Sequence, residues 1–228
     1  MSKSVHGTKT EKNLLTAFAG ESQAFQRYTL FAKAAKKEGY KYLAAIFQDN
    51  AEMERKHAQR FFSFLEGHPV EITATYPAGK VGTSIENLKM SIAGETEEAE
   101  VAYPKFAEIA KEEGFPAIAA CFKNIAVIEA QHAARFQNLL RCLEHEKGLY
   151  EFEDPETVWI CMECGYMHKG SKALTGCPVC LETNSFMPLD HNWYAPKKWA
   201  SFIVFKVYVI YYGRHANGDM FIIVVGRW

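Results

Sequence analysis

The sequence predicts a mainly α-helical protein: a four-helix bundle with one long crossover, a small four-cysteine metal domain behind it, and an apolar C-terminal extension. Three observations carry this prediction. Four helical stretches of roughly 25 to 30 residues are joined by connections that run short, long, short. A Glu54-x-x-His57 motif returns as Glu129-x-x-His132. Two Cys-x-x-Cys pairs, Cys161/Cys164 and Cys177/Cys180, follow the last helix.

The first helix opens on Thr8-x-x-Glu11, which has the form of a capping box, and its apolar face (Leu14, Phe18, Phe25, Tyr28, Phe31) runs to a stop at Gly39. The second spans Tyr40 to Glu66 and ends at Gly67-His68-Pro69, where proline forbids continuation. Pro69, Pro77, Gly79 and Gly82 make the next stretch an extended connection. The third helix starts near Thr83 or Ser84 and runs to Gly114, with a kink expected at Pro104. The fourth carries Pro116 in its first turn and reaches about Lys147-Gly148. Short connections force antiparallel neighbours, and the long middle one allows the single crossover of a ferritin-like bundle. The expected domains are residues 1–150 for the bundle, 151–193 for the cysteine domain and 194–228 for the extension.

The chain has 228 residues, 48% of them hydrophobic, which suffices for one sizeable helical domain and something smaller. Its formal net charge is −1, with Lys and Arg scattered among acids, so no basic stripe points to nucleic acid. Met1 to Asn13 is polar and lacks the apolar core of a signal peptide, so the expected compartment is the cytoplasm. No membrane association is expected. Four of the six cysteines form metal-type pairs rather than a disulfide framework. Cys121 and Cys142 lie in helical sequence and are expected to be inert packing residues.

The chain states its site twice. The offset is 75 residues between the two Glu-x-x-His motifs, between Glu38-Gly39 and Glu113-Gly114, and between Tyr28 and Tyr103, but 74 between Gly20-Glu21 and Gly94-Glu95. One residue has therefore been added between Glu95 and Tyr103. Glu and His three apart share a helix face, so Glu21, Glu54, Glu95 and Glu129, one per helix, with His57 and His132, can converge on one place. Four buried carboxylates need counter-charge, and two divalent ions bring four positive charges. Glycine within a helix costs about 1 kcal/mol relative to alanine, so Gly20 and Gly94 lead us to expect something packed closely there. Glu98 breaks the symmetry: it lies one turn after Glu95, where the first half has only Gln23 or Ala24. Oxidised iron prefers an additional carboxylate and reduced iron accepts a neutral imidazole, so Glu98 and His57 are expected to exchange as ligands. Glu97 and Glu100 are expected to be ordinary surface acids.

The cysteine pairs are separated by twelve residues, which predicts one tetrahedral thiolate site. With few apolar residues around it, the ion supplies much of that domain's stability. Zinc would make it a passive ribbon, iron an electron-transfer centre.

Taken together, Gly20-Glu21-Ser22-Gln23-Ala24, Glu54-Arg55-Lys56-His57, Gly94-Glu95 with Glu98, Glu129-Ala130-Gln131-His132 and both cysteine pairs resemble the rubrerythrin family, over roughly residues 8 to 193. The resemblance implies a di-iron four-helix bundle fused to a rubredoxin-like domain. It implies that Glu21, Glu54, His57, Glu95, Glu98, Glu129 and His132 bind the iron pair, that a ligand exchange of the kind described occurs, and that Tyr28 and Tyr103 stand near the site. Cys164-Gly165-Tyr166 and Cys177-Pro178 resemble rubredoxin knuckles and favour iron over zinc on Cys161, Cys164, Cys177 and Cys180, although Leu181 stands where such a knuckle has glycine.

The resemblance further implies an oxidoreductase that reduces hydrogen peroxide to water as protection against oxidative stress. Its electrons would pass through the cysteine-bound iron from a separate NADH-fed reductase or a rubredoxin, because this chain has no Gly-rich dinucleotide fingerprint. His57, Glu98, Tyr28 and Tyr103 are the expected catalytic residues, and a homodimer is expected, with the cysteine domain near the partner's bundle. The alternatives are ferrous-iron oxidation with dioxygen, or a non-enzymatic metal-binding protein with a zinc ribbon. In the extension, Phe202–Tyr212 and Met220–Val225 are β-branched or aromatic and flank Asn217-Gly218, a hairpin signal.

Overall fold

The structure, a computed structural model, describes residues 3–145, 148–189, 208–214 and 220–226. Helices α1 (Lys9–Lys37) and α2 (Lys41–Phe62) form one antiparallel pair. The second pair is a longer rod made of α3 (Ser84–Glu97), a π-helical segment (Glu98–Ala102) and α4 (Tyr103–Glu112), packed on α5 (Pro116–Glu144). The residues between α2 and α3 form the crossover, extended over much of its length. Helix α2 stops four residues before the expected Glu66, and α5 ends at Glu144 rather than near Gly148.

Helix ends follow from local chemistry. Thr8 accepts the Glu11 amide, but Glu11 turns its carboxylate to the Gly7 amide, so only half of the expected capping box forms. Thr83 and Glu86 form the full box at α3. Gly39 and Gly114 adopt φ of +88° and +79°, the left-handed conformation that lets the Tyr40 and Phe115 amides reach back to the Ala35 and Ala110 carbonyls and close the helix. Beside each glycine a glutamate caps the opposite pair: Glu38 accepts the Ser84 amide at the start of α3, and Glu113 accepts the Lys9 and Thr10 amides at the start of α1.

That reciprocity extends through the core. Tyr28, Phe31, Phe47 and Phe136 pack as one aromatic group, with ring centroids 5.4 to 6.2 Å apart. Tyr103, Phe106, Phe122 and Phe61 form the other, and each of its members lies 75 positions from its counterpart. The halves are related by a pseudo-twofold, and the two groups close the bundle core on either side of its charged middle.

The added residue inferred between Glu95 and Tyr103 is absorbed by the π segment, where the Tyr103 amide bonds the Glu98 carbonyl five residues back. Glu21 and Tyr28 are seven apart in α1; Glu95 and Tyr103 are eight apart, and the wider turn returns both to the inner face. The irregularity expected at Pro104 is therefore this segment, and Pro104 sits in the first turn of α4, where its missing N–H costs nothing.

Strands β1 (Val158–Cys161), β2 (Met167–Lys169) and β3 (Phe186–Pro188) form an antiparallel sheet in the order β2-β1-β3, with Trp159 and Phe186 as its core. This sheet docks on the α1–α2 end of the bundle. Met162 and Met187 pack on the apolar cluster around Tyr42, Leu43 and Phe47, and Lys41 pairs with Glu182 at 2.6 Å. Residues 195–228 form a separate unit, in which β4 (Tyr208–Arg214) pairs antiparallel with β5 (Met220–Gly226), Ile210 opposite Val224. Asn217-Gly218, the expected hairpin turn, lies outside the described residues.

Replacing Glu113 or Glu38 with alanine orphans helix N-terminal amides, so each change should cost about 1 kcal/mol. Thermal denaturation reads this directly; a melting temperature unchanged in both variants would show that these caps do not hold the two pairs together.

Candidate metal centres

Between the aromatic groups, each rod turns one carboxylate inward. Glu21, Glu54, Glu95 and Glu129 and the two imidazoles are all buried, and the glutamates are at most 1% exposed. Their ligand atoms fall into two sets, Glu21/Glu54/His57/Glu129 and Glu54/Glu95/Glu129/His132. Glu54 and Glu129 belong to both. His57 Nδ1 lies 2.9 Å from Glu54 Oε2 and 2.9 Å from Glu129 Oε1; His132 Nδ1 lies 3.0 Å from Glu54 Oε1 and 2.9 Å from Glu129 Oε2. The two rings are nearly parallel, 5.9 Å apart. This is a two-centre arrangement with two shared carboxylates between, and one glutamate and one histidine at each end.

Glu21 Oε2, Glu54 Oε1, Glu95 Oε2 and both oxygens of Glu129 are buried and meet no donor other than the two imidazoles. Buried lone pairs without donors are costly, and here they converge, so the donor set fits two divalent cations. The tyrosines cross the pseudo-twofold: Tyr28 donates to Glu95 Oε1 at 2.5 Å, and Tyr103 donates to Glu21 Oε1. Each tyrosine thus fixes the terminal carboxylate of the other half.

Taken as protein groups alone, these carboxylates cannot all ionise. Burial, then the charge of Glu129, pushes Glu21 well above the usual carboxylate range; burial, then Glu54, lifts Glu95 to about 8. Burial, then Glu95, likewise raises Glu98. Against burial, hydrogen bonds with Glu129 and Glu54 raise His57 to about 9 and carry His132 well up, while the bonds from His132 and His57 hold Glu129 down at about 2.

Glu98 is not in either set. It begins the π segment, partly buried, against a cavity of about 800 Å³ lined also by Gly20, Gln23, Arg27, Tyr76 and Tyr103. His57, not Glu98, is therefore the side chain gathered with the other ligands. Glu97 and Glu100 are exposed, as surface acids should be. A methyl group at Gly20 would meet Tyr76 at 3.5 Å and Glu98 at 3.8 Å, and one at Gly94 only Arg27 at 4.0 Å. The close packing expected at these glycines is thus absent, and both instead border the cavity. Sequence reasoning missed Arg27, whose charge faces Glu98, and Tyr76, whose hydroxyl donates to the Thr16 carbonyl and pins the crossover on α1. A tyrosine in a stretch without periodicity carries no signal of where it lands.

In the cysteine domain the four thiols converge, with Cys161 and Cys180 sulfurs 3.7 Å apart and those of Cys164 and Cys177 3.5 Å apart. A tetrahedral ion with bonds of about 2.3 Å places its sulfurs about 3.8 Å apart, so the cage fits one ion. The Cys161 thiol is held at about 6, against burial, by Ser185 and the backbone N–H groups of Glu163 and Cys164. Gly165 takes a φ of +77° in the first knuckle. Leu181 takes +64° in the second, 79% exposed, so the knuckle keeps its shape without its glycine. Cys121 and Cys142, expected to be packing residues, lie against the two core clusters of the bundle.

The fold and the two centres define a ferritin-like di-iron protein carrying a rubredoxin-like domain. Comparison with known proteins agrees. The rubrerythrin family model matches residues 12–140, and the model of the rubrerythrin, rubredoxin-like domain matches residues 159–186. Rubrerythrin of Porphyromonas gingivalis is 50% identical over 194 residues, covering 85% of this chain and 96% of that one. Rubrerythrin of Nitratidesulfovibrio vulgaris is 45% identical over 192 residues, covering 84% and 100%. A structure of nigerythrin in its fully reduced, all-ferrous state superposes with a TM-score of 0.54 at 28% identity, covering 82% of this chain and 92% of that one. The chain belongs to the rubrerythrin family. Its cofactors are the bundle's iron pair and one iron in the four-cysteine site. No helix among the described residues is long and apolar enough to cross a membrane.

Stripped of metal, the protein should lose stability as pH rises. Glu21, Glu95 and Glu98 keep protons that they release on unfolding above 4.5, and His57 and His132 keep theirs above 6.5. The folded chain thus binds more protons than the unfolded one, and unfolding free energy falls with pH by up to about 1.4 kcal/mol per unit per retained proton. Denaturant midpoints of the metal-free protein should be lower at about pH 8 than at about pH 6, and a rise would contradict this electrostatic reading.

The second knuckle offers an independent test. A left-handed conformation costs a non-glycine residue roughly 1–2 kcal/mol, so Leu181→Gly should slow loss of the cysteine-bound iron to a chelator. Unchanged release would mean that the strain is relieved elsewhere.

Proposed function

We propose that the protein is a peroxidase that reduces hydrogen peroxide to two waters, consuming two electrons and two protons, and so protects against oxidative stress. One iron would be held by Glu21, Glu54, His57 and Glu129 and the other by Glu54, Glu95, Glu129 and His132, with Cys161, Cys164, Cys177 and Cys180 holding the third. When bound, the iron pair supplies the two electrons and the positive charge that stabilises oxygen anions. The observation that carries the reading is Glu98: a carboxyl at the inner wall of a cavity, beside the two ligand sets and outside both.

In this mechanism peroxide enters the cavity past Gly20 and Gly94, whose missing side chains leave its wall low. Glu98, raised by burial and by Glu95, carries a proton at the point where peroxide oxygens arrive and hands it over as a general acid. Arg27, facing Glu98 with its Nε unpartnered, stabilises the carboxylate left behind. Tyr28 and Tyr103 keep Glu95 and Glu21 from swinging into the cavity. Glu98 and His57 would be alternative ligands for one iron, the carboxylate favoured by the more highly charged ion and the neutral imidazole by the reduced one. Cys161, Cys164, Cys177 and Cys180 would hold the iron that relays electrons from a separate NADH-linked reductase or a rubredoxin. The working form is a cytoplasmic homodimer in which that site lies near the partner's bundle.

Stopped-flow oxidation of the fully reduced protein should be much faster with hydrogen peroxide than with dioxygen, and Glu98→Gln should slow the peroxide reaction by about 100-fold or more. Peroxide rates no faster than dioxygen rates would reassign the bundle to ferrous-iron oxidation. A Glu98→Gln variant as fast as the parent would remove Glu98 from proton delivery.

A further inference from the structure

Away from both centres, three potential ligands meet at the outer end of the bundle. His6 lies in the N-terminal segment, Glu11 in the first turn of α1, and His68 in the crossover just past α2. His6 Nδ1, Glu11 Oε1 and His68 Nε2 all lie within 4.8 Å of one another. His6 Nδ1 is 4.0 Å from Glu11 Oε1, and His68 Nε2 lies against both. The two rings meet edge to face at 87°, with centroids 3.9 Å apart.

We infer that these three side chains form a third metal site, for a divalent ion of the zinc class, which staples the N-terminal segment and the crossover to the start of α1. The first support is Glu11. It is 3% exposed; one oxygen accepts the Gly7 amide, and the other, Oε1, is buried and turned to the two imidazole nitrogens, with His68 Nε2 against it. The second is that the backbone presents these ligands. Glu66 accepts the Ser4 hydroxyl at 2.5 Å and the Val5 amide at 3.1 Å, Ser4 Oγ accepts the His6 amide, and Thr8 donates to the Val5 carbonyl. His68 is set between Gly67, at φ +87°, and Pro69.

The chemistry selects the ion. Two imidazoles and one carboxylate suit zinc and its neighbours and are a poor match for magnesium or calcium, which take oxygen ligands. A tetrahedral ion with bonds of about 2.0–2.2 Å puts its ligand atoms about 3.4 Å apart, a spacing that small side-chain rotations reach here. Three protein ligands leave a fourth position, and it opens to solvent, because the His6 and His68 side chains are 67% and 28% exposed.

The test is zinc binding to the iron-loaded full-length chain, followed by calorimetry, with iron content assayed before and after. The parent should bind one zinc ion that His6→Ala, His68→Ala and Glu11→Gln each bind at least about tenfold more weakly, at unchanged iron content. Glutamine at position 11 retains an oxygen for the Gly7 amide, so that variant separates ligation from folding. Zinc should also raise the melting temperature of the parent and not of the variants. A zinc anomalous peak in the parent's crystals should lie between these three side chains. Equal zinc affinity in the parent and all three variants, or an anomalous peak only elsewhere, overturns the assignment.

Discussion

The structure depends on the burial of four carboxylates in the middle of a helical bundle. No arrangement of apolar side chains offsets such a charge, and the alternatives open to the chain are protonation or cations. The way the carboxylates are deployed shows that cations are the intended partners. Were these glutamates meant to be neutral, each would need a donor and an acceptor of its own. Instead both oxygens of Glu129 and one each of Glu21, Glu54 and Glu95 meet no donor other than the two imidazoles, and they converge. The aromatic groups bound the band on either side, and the burial of its carboxylates strengthens every interaction within it. They also make the site expensive to leave half filled.

Two-fold economy follows from the same constraint. A pair of ions needs two equivalent ligand sets, and a repeated helical hairpin supplies them when the halves face each other. Everything that must be equivalent is repeated: the Glu-x-x-His motifs, the tyrosines that cross to the opposite carboxylates, and the glutamates that cap the opposite helices. What differs is one inserted residue. It converts a turn of the third rod into a π segment that begins at Glu98, on the wall of the 800 Å³ cavity beside the ligands. The repeat makes a metal site, and the departure from it begins at Glu98 on the cavity wall.

Much of this was legible from residue order. Spacing placed Glu54, His57, Glu129 and His132, because a three-residue interval has one meaning on an α-helix, and the repeat of Gly20-Glu21 as Gly94-Glu95 added the other two carboxylates. The change of offset from 75 to 74 located an insertion between Glu95 and Tyr103, but could not say that its hydrogen bonds would be π-helical. Proline therefore drew the expected kink to position 104. The capping box at Thr8 half failed because Glu11 had a competing donor in Gly7, a tertiary detail of the N-terminal segment. Tyr76 and the meeting of His6 with His68 were invisible for a simpler reason. They lie in chain without periodicity, and only the path of the crossover decides what they touch. Leu181 shows the converse: a residue that argued against a knuckle occupies it, because thiolate convergence outweighs the roughly 1–2 kcal/mol that a left-handed leucine costs.

The two metal-bearing units obey different stability rules, and their contact joins them. The bundle has a large apolar core and a polar middle; the cysteine sheet has a small core and is held by its ion. Met162, next to Cys161, and Met187 of β3 reach out of the cysteine sheet onto the cluster that contains Tyr28 and Phe47. Tyr28 in turn holds Glu95 by its hydroxyl. The residues beside the thiolate cage and the tyrosine of the carboxylate cage therefore share one packed cluster, whose positions are fixed to the tolerance of a protein interior. Lys41 with Glu182, and Gly39 beside Asn184, tie the same end of the bundle to the second knuckle. Side-chain disorder at the Lys41–Glu182 surface pair would weaken this docking little, since exposed ion pairs contribute at most about 1 kcal/mol. The methionines stabilise the docking more than that pair does, because each removes apolar area from water and adapts its shape to the groove it meets. It is this apolar seam that holds the cysteine sheet in register with the bundle and makes the two centres parts of one chain rather than two domains on a tether.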